Sequence, residues 1–391
     1  MDYRVSRYRL ISFEAFLVLS FVSLVIIAFF PPVYNSRWYG IVKYVIFGLL
    51  AILSLKNHIV QSLNNKVVIF SLVIVFFLAL QLMIFYSQGF KVRWGDVIGL
   101  VIITFLMGVG NCCKLDEKQL EVVVLVFAAF SAVAGLWSMF YYVGNLTLTA
   151  YLYAVDAKNQ IGQLVASASA GVWVLLFSTK RYKVIKIGLL VVLVILLFLL
   201  RCRTALLAFL VFGVYYYLKS HEVKHKFFIV MFALLLFLIF SGPILDFFEN
   251  VFVGNKDIND LNAVSSNRME RNIEGLKFWS LNPMFGEMKT PSDVLRIHNY
   301  LINILSAYGI FAFPFFVLFF YLLIVIVKKW KRSNALCVSN LGYWIMFTPF
   351  FCSLLEPSAP YGPGLVQAVS FFLLGNSMRM MKYVVPDENN G

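Results

Sequence analysis

Charge is what this sequence has least of. Asp, Glu, Lys and Arg make up 13% of its 391 residues, against about a quarter in soluble domains, while 61% are hydrophobic and the mean hydropathy is +0.84. That shortage excludes an ordinary soluble protein and points to a membrane protein. Acidic residues are scarcest, 19 against 33 basic, for a formal net charge of +14. A basic balance can signal a nucleic-acid partner, but here the cations are dispersed among short loops between apolar runs. There they report membrane topology, so no nucleic acid is expected. Cysteine is also sparse: Cys112, Cys113, Cys202, Cys337 and Cys352 form no CxxC pair and no disulfide framework, and read as inert packing residues. Internal repeats, low-complexity tracts and a terminal soluble domain are missing too. The first apolar run ends in Phe29-Phe30-Pro31-Pro32 with no small-residue cleavage site, so it is expected to be a retained helix.

What is present is a series of apolar runs, each near the roughly 20 residues that a spanning helix needs. Twelve are readable, near residues 10–30, 38–55, 67–86, 94–110, 119–143, 160–178, 184–200, 203–218, 227–245, 299–327, 340–356 and 362–378. The expected fold is all-α, a polytopic membrane helix bundle of about 12 transmembrane helices with one long extracytoplasmic loop. Residues 1–245 would hold helices one to nine, 246–298 the loop, and 299–391 the last three helices with a short tail. One set of alternate loops carries 20 of the 33 basic residues, among them Arg4, Lys114, Lys180, Arg181, Lys186, Lys328 and Arg379; the other set carries 12. The positive-inside rule then places both termini in the cytoplasm and the long loop outside. The loop itself holds eight acidic and six basic residues, so its arginines need a local explanation.

Three polar segments could carry chemistry. Arg201-Cys202-Arg203-Thr204 stands at a tight turn between two apolar helices. Guanidinium groups there need water, a partner or an anion; interfacial anchoring is the plainer explanation. In Asn267-Arg268-Met269-Glu270-Arg271-Asn272 the two arginines share a face if the segment is helical, with Asn267 as its cap. A helix lying solvated on the membrane surface would explain them equally. His298-Asn299 precedes the tenth run, and His298 is the only histidine on the outer side. Its imidazole titrates near neutrality and can accept a hydroxyl proton. Asp257 and Asp260 form a weak cation-binding pattern, better explained as a loop turn. Glu356, before Pro357, is a candidate for contact with the acceptor or His298. Glu14, Lys43, Gln81 and Gln163 fall within spans and read as packing or snorkelling groups. Asn159 to Gly162 reads as helix capping and close packing.

Together these segments resemble the O-antigen ligase and O-antigen polymerase superfamily of bacterial membrane glycosyltransferases. Arg203 to Leu207 resembles the family's Arg-x-x-x-Leu motif. Arg268 stands for its outer-loop arginine, followed by a Pro-x-Phe-Gly turn at Pro283 to Gly286. His298-Asn299, nine residues, then Gly309-Ile310-Phe311-Ala312 matches its His-Asn pattern, with Ala312 where the family often has Gly. The resemblance covers the second half of the chain closely and the whole chain in helix number and loop placement. Arg201 and Arg271 have no firm counterpart.

The resemblance implies a glycan donor on a polyprenyl diphosphate and a glycan or lipid-linked acceptor, meeting at the outer face of the bacterial cytoplasmic membrane. Membrane lipid and a chain-length regulator would be further partners. No cofactor and no metal are expected. Arg203 and Arg268 would neutralise the diphosphate leaving group, and His298 would deprotonate the attacking hydroxyl in a direct, inverting displacement. Arg201, Arg271, Asn299 and Glu356 are the expected substrate-binding residues. A polymerase of surface polysaccharide is favoured over a ligase acting on lipid A core. A lipid-linked oligosaccharide flippase is the alternative of another class; the missing repeats and the single asymmetric polar loop weigh against it.

Overall fold

Runs of Leu, Val, Ile and Phe can satisfy their backbone in hydrocarbon only by closing it into helices or a barrel. The computed structural model describes residues 12–30, 36, 38, 41–43, 45–52, 65–142, 157–200, 202–219, 267–289, 297–332, 337–362 and 366–380, and all regular structure among them is helical. Among the described residues, five stretches are long and apolar enough to cross a membrane: Lys66–Ser87, Trp94–Cys112, Glu117–Ser138, Asn159–Ser178 and Tyr300–Lys331. In chain order the helices begin with α1 (Phe13–Ile27), α2 (Lys66–Ser87), α3 (Trp94–Cys112), α4 (Glu117–Tyr142) and α5 (Ala157–Ser178). Then come α6 (Lys183–Leu199) and α7 (Arg203–Lys219), separated by the tight turn expected at Cys202. The expected ninth span, residues 246–266 of the loop with Asp257 and Asp260, Arg201 and Arg296 all lie outside the described residues.

The last third of the chain is more broken than its hydropathy suggests. A polar helix α8 (Arg268–Leu281) is followed by α9 (Tyr300–Tyr308), a 3-10 turn at Gly309–Ala312, and α10 (Phe313–Arg332). The apolar run at 340–356 is divided into α11 (Leu341–Ile345) and α12 (Phe347–Cys352), parted at Met346 and giving way to irregular chain at Ser353. The final helix is α13 (Ala368–Met380), buried along nearly its whole length.

α13 packs between α3 and α11, and small residues set the spacing. A Cβ on Gly110 would lie 2.0 Å from the Phe372 carbonyl oxygen, and one on Gly375 would lie 1.9 Å from that of Met107. Backbones this close require glycine at both points. α5 is the second hub, packed on α4, α6 and α7. Its Gly162 abuts Cys202, so the close packing expected there is present. Capping is not, because Asn159 lies inside the first turn of α5.

Polar groups within the bundle are used for packing. Gln163 Oε1 accepts from Gln367 Nε2 at 3.1 Å, Gln81 Nε2 donates to the Phe311 carbonyl, and a Glu14 carboxylate oxygen accepts from the Lys114 amide. One loop cation turns inward. Lys186 is fully buried and pairs with Glu121, itself 2% exposed, at 2.5 Å, while also donating to the Leu175 and Thr179 carbonyls. The Thr179 carbonyl lies just past the end of α5, and Leu175 O also accepts from the Thr179 amide.

Candidate active site

The irregular chain from Ser353 to Pro357 exposes backbone carbonyls that a helix would have consumed, and each buried carbonyl needs a donor. Arg268, and the chain from Asn299 to Asn303, supply them. The Tyr300 amide donates to Ser353 O at 3.0 Å, and Asn299 Nδ2 donates to Leu354 O at 3.1 Å. Arg268 Nη1 donates to Leu355 O at 2.7 Å, and Asn303 Nδ2 to Pro357 O at 3.0 Å. Ser353–Pro357 is thus the strip on which α8 and α9 converge.

Arg268 opens α8, directly after Asn267. Asn267 occupies the N-cap position but has a left-handed backbone (φ 62°), and its side chain does not cap the helix, contrary to expectation. The helix turns Arg268 inward instead of leaving it solvated. Besides Leu355 O, the guanidinium donates to Thr204 Oγ1 at 3.0 Å and pairs with Glu356 Oε1 at 3.1 Å. Thr204 Oγ1 in turn lies 3.3 Å from Glu356 Oε1. Side-chain exposures of 23% for Arg268 and 7% for Glu356 mark a pair largely withdrawn from water. Glu356, expected near His298 or the acceptor, is therefore a partner of Arg268.

Arg203 is the first residue of α7, next to Thr204, half-buried, and close enough to Arg268 for their charges to repel. Two guanidinium groups are held near each other at the end of an apolar helix, and Arg268 pairs with the carboxylate of Glu356. A multiply charged anion is the ligand such an arrangement favours.

His298 is placed by the other arginine of α8. Its Nε2 lies 3.0 Å from Arg271 Nη1, and its backbone amide donates to Asn272 Oδ1 at 3.0 Å. Because a guanidinium only donates, Nε2 must accept, which puts the proton of the neutral ring on Nδ1. Arg271, which the family pattern left unassigned, is the residue that sets this tautomer. Asn299 caps α9, its Oδ1 accepting from the Ile302 amide at 3.1 Å. α8 and α9 are held together by Ser306, whose hydroxyl donates to Gly275 O, and by Ile297 and Ile302 packed over Gly275.

The Pro-x-Phe-Gly turn and the Gly309 turn interlock. Ile310 N donates to Pro283 O at 2.9 Å. Gly286 (φ 55°) and Gly309 (φ 59°) sit in the left-handed region; a Cβ on Gly286 would strike Ser306 O near the end of α9 at 2.2 Å, and one on Gly309 would strike Pro283 O at 2.5 Å. Two motifs that look independent in the sequence are one structural joint. Ala312, where the family often has Gly, is fully buried behind it.

Arg203, Arg268, Arg271, His298, Asn299 and Glu356 are therefore brought to one region. The sequence reading gave no role to Thr204, Asn272 and Asn303. Thr204 and Asn272 stood inside the polar segments, and Asn303 stands one turn after Asn299 on the same face of α9. The chain matches no family model and no curated protein.

Proposed function

We propose that this protein is a membrane glycosyltransferase of the O-antigen ligase and polymerase type. It moves a glycan from a polyprenyl diphosphate to an acceptor hydroxyl at the outer face of the cytoplasmic membrane, extending a surface polysaccharide. The observation that carries this reading is the meeting of three distant stretches beside the Ser353–Pro357 strip: Arg268 and Asn299 donate to it, Arg203 lies near Arg268, and Arg271 holds His298. The twelve-span topology, with residues 246–298 outside and both termini inside, is part of the same proposal.

The proposed chemistry assigns each of these residues a role. Arg203 and Arg268 bind the diphosphate, and their charge counts most as the bond from the anomeric carbon to the diphosphate oxygen breaks and its electron pair leaves with the phosphate. The acceptor oxygen attacks the opposite face of that carbon, inverting it. As the hydroxyl approaches, it takes the place of Arg271 at His298 Nε2, and the imidazole receives its proton. Asn299 fixes the start of α9 and so the bearing of the ring.

Purified protein in liposomes, supplied with a lipid-linked glycan, tests the reading. Longer lipid-linked glycans should form with inverted linkages. Arg203→Ala, Arg268→Ala and His298→Ala should each lower the rate by about a hundredfold or more, the usual scale for losing a transition-state donor. Translocation of the lipid-linked sugar with no new glycosidic bond would replace the enzyme with a transporter. Full activity in His298→Ala would remove the proposed base.

A further inference from the structure

A second charged cluster lies at the outer end of α3, and the transfer reaction as proposed makes no use of it. Arg93, immediately before α3, pairs through Nε with Asp96 Oδ2 at 3.1 Å, and its Nη1 lies 3.8 Å from Glu287 Oε2. The same Nη1 donates to Asn303 Oδ1 at 3.1 Å. The Tyr308 hydroxyl lies 3.1 Å from both Arg93 O and Asp96 Oδ2, and the Lys91 amide donates to Met288 O. The α2–α3 loop, the Pro-x-Phe-Gly turn and α9 are thereby joined around one guanidinium.

Asn303 links this cluster to the site. A guanidinium offers only donors and a carbonyl only accepts, so Oδ1 must face Arg93 and Nδ2 must face Pro357. Pro357 O and Arg93 call for the same orientation, and Arg93 supplies the second anchor, on Oδ1, that holds the amide in place. Without it the side chain keeps only the Pro357 bond and is free to swing about that one contact. Pro357 follows Glu356 directly, and Glu356 is the carboxylate that holds Arg268.

We propose that Arg93 is a positioning residue of the transferase site, acting through Asn303 to fix the Glu356-Pro357 backbone and, through Glu356, the Arg268 guanidinium. This rests on the function proposed above. Asp96 and Glu287 hold the Arg93 fork, and its planar geometry lets one side chain serve Asp96 and Asn303 together.

Asn303→Asp separates positioning from mere stapling. Aspartate keeps an acceptor for Arg93, now as an ion pair, but turns only oxygen towards Pro357. Wild type, Arg93→Met, Arg93→Lys and Asn303→Asp would be compared in liposomes for kcat, donor KM and thermal midpoint. Arg93→Met and Asn303→Asp should each lower kcat roughly ten- to a hundredfold, the range for outer partners that orient a site, with donor KM changed less. Combining them should cost little more than either alone. Arg93→Lys, which can still donate to Asn303, should recover part of the loss. Wild-type kcat in Asn303→Asp overturns the positioning role, including where Arg93→Met fails to fold. An inactive wild type instead fails the transferase reading, and the positioning role falls with it.

Discussion

A buried carboxylate that loses its cation is costly whatever the chemistry, so a phenotype at Arg268 mixes two effects. Arg268→Ala would strand Glu356, 7% exposed, beside Thr204, at a cost of about 1–3 kcal/mol. Adding Glu356→Gln should restore most of the thermal midpoint lost and none of the activity. If activity returns with stability, Arg268 is a structural residue only. The Glu121–Lys186 pair gives the converse case. Lys186→Met leaves Glu121 with the Thr179 hydroxyl and the more distant Arg181, 3.8 Å away, which should cost about 1–3 kcal/mol. Glu121→Leu combined with Lys186→Met should regain much of that, with transfer activity per folded molecule unchanged. Glu287 offers a test by pH. Burial pushes its carboxyl above its ordinary 4.5, Arg93 and Lys91 pull it back, and Asp96 adds a smaller upward push. The folded protein therefore holds this proton more tightly than the unfolded chain. The stabilisation is present below pH 4.5 and is lost as pH rises through the higher folded value. Glu287→Gln should melt with wild type at pH 4 and above it at pH 7.5; a lower midpoint at pH 7.5 would refute the sign.

Among the elements, apolar length was the legible quantity. The runs at 67–86, 94–110, 119–143 and 160–178 underlie α2 to α5 within a few residues, because a helix in hydrocarbon is limited mainly by where its polar ends must begin. The interruptions were not legible. Nothing in the hydropathy of 299–327 marks a break at Gly309; the break exists because Ile310 N is needed by Pro283 O, a partner outside the run. The end of α12 at Cys352 has the same kind of cause, since the carbonyls of Leu354, Leu355 and Pro357 beyond it are received by Asn299, Arg268 and Asn303 from other elements. Motif spacing located Arg268 and His298, yet their partners Thr204 and Arg271 depend on how α7, α8 and α9 meet, which spacing does not encode. The interlocked turns can be tested directly. Gly286→Ala or Gly309→Ala forces a left-handed alanine, about 1–2 kcal/mol, before the clash with the facing backbone is counted. Each should depress both thermal midpoint and transfer rate. Ile310→Ala, at a residue 60% exposed between the same elements, should stay within about 0.5 kcal/mol of wild type. Equal losses at all three positions would mean that the joint is soft and the glycines are incidental.

At the scale of the molecule, α5 separates two polar regions. Its 22 residues extend about 33 Å, close to the hydrocarbon thickness of a bilayer. Its first turns pack on Cys202, beside Arg203 and the proposed active site. Its last residues meet the Glu121–Lys186 pair and a cavity of about 400 Å³ lined by Asp116, Glu117, Lys118, Glu121, Thr179, Lys180 and Arg181. On the topology proposed above the two regions face opposite sides of the membrane, with the cavity on the cytoplasmic side. Four of the five cysteines are buried and only Cys337 is partly open, so a Cys337→Ser background should be nearly silent to thiol reagents. On it, Lys289→Cys, exposed after the Pro-x-Phe-Gly turn, should react with a membrane-impermeant maleimide in intact cells. Lys118→Cys, exposed at the cavity rim, should react only after permeabilisation. The reverse pattern would put Arg203, Arg268 and His298 on the cytoplasmic side, away from a donor displayed outside, and the proposed reaction would have no substrate there.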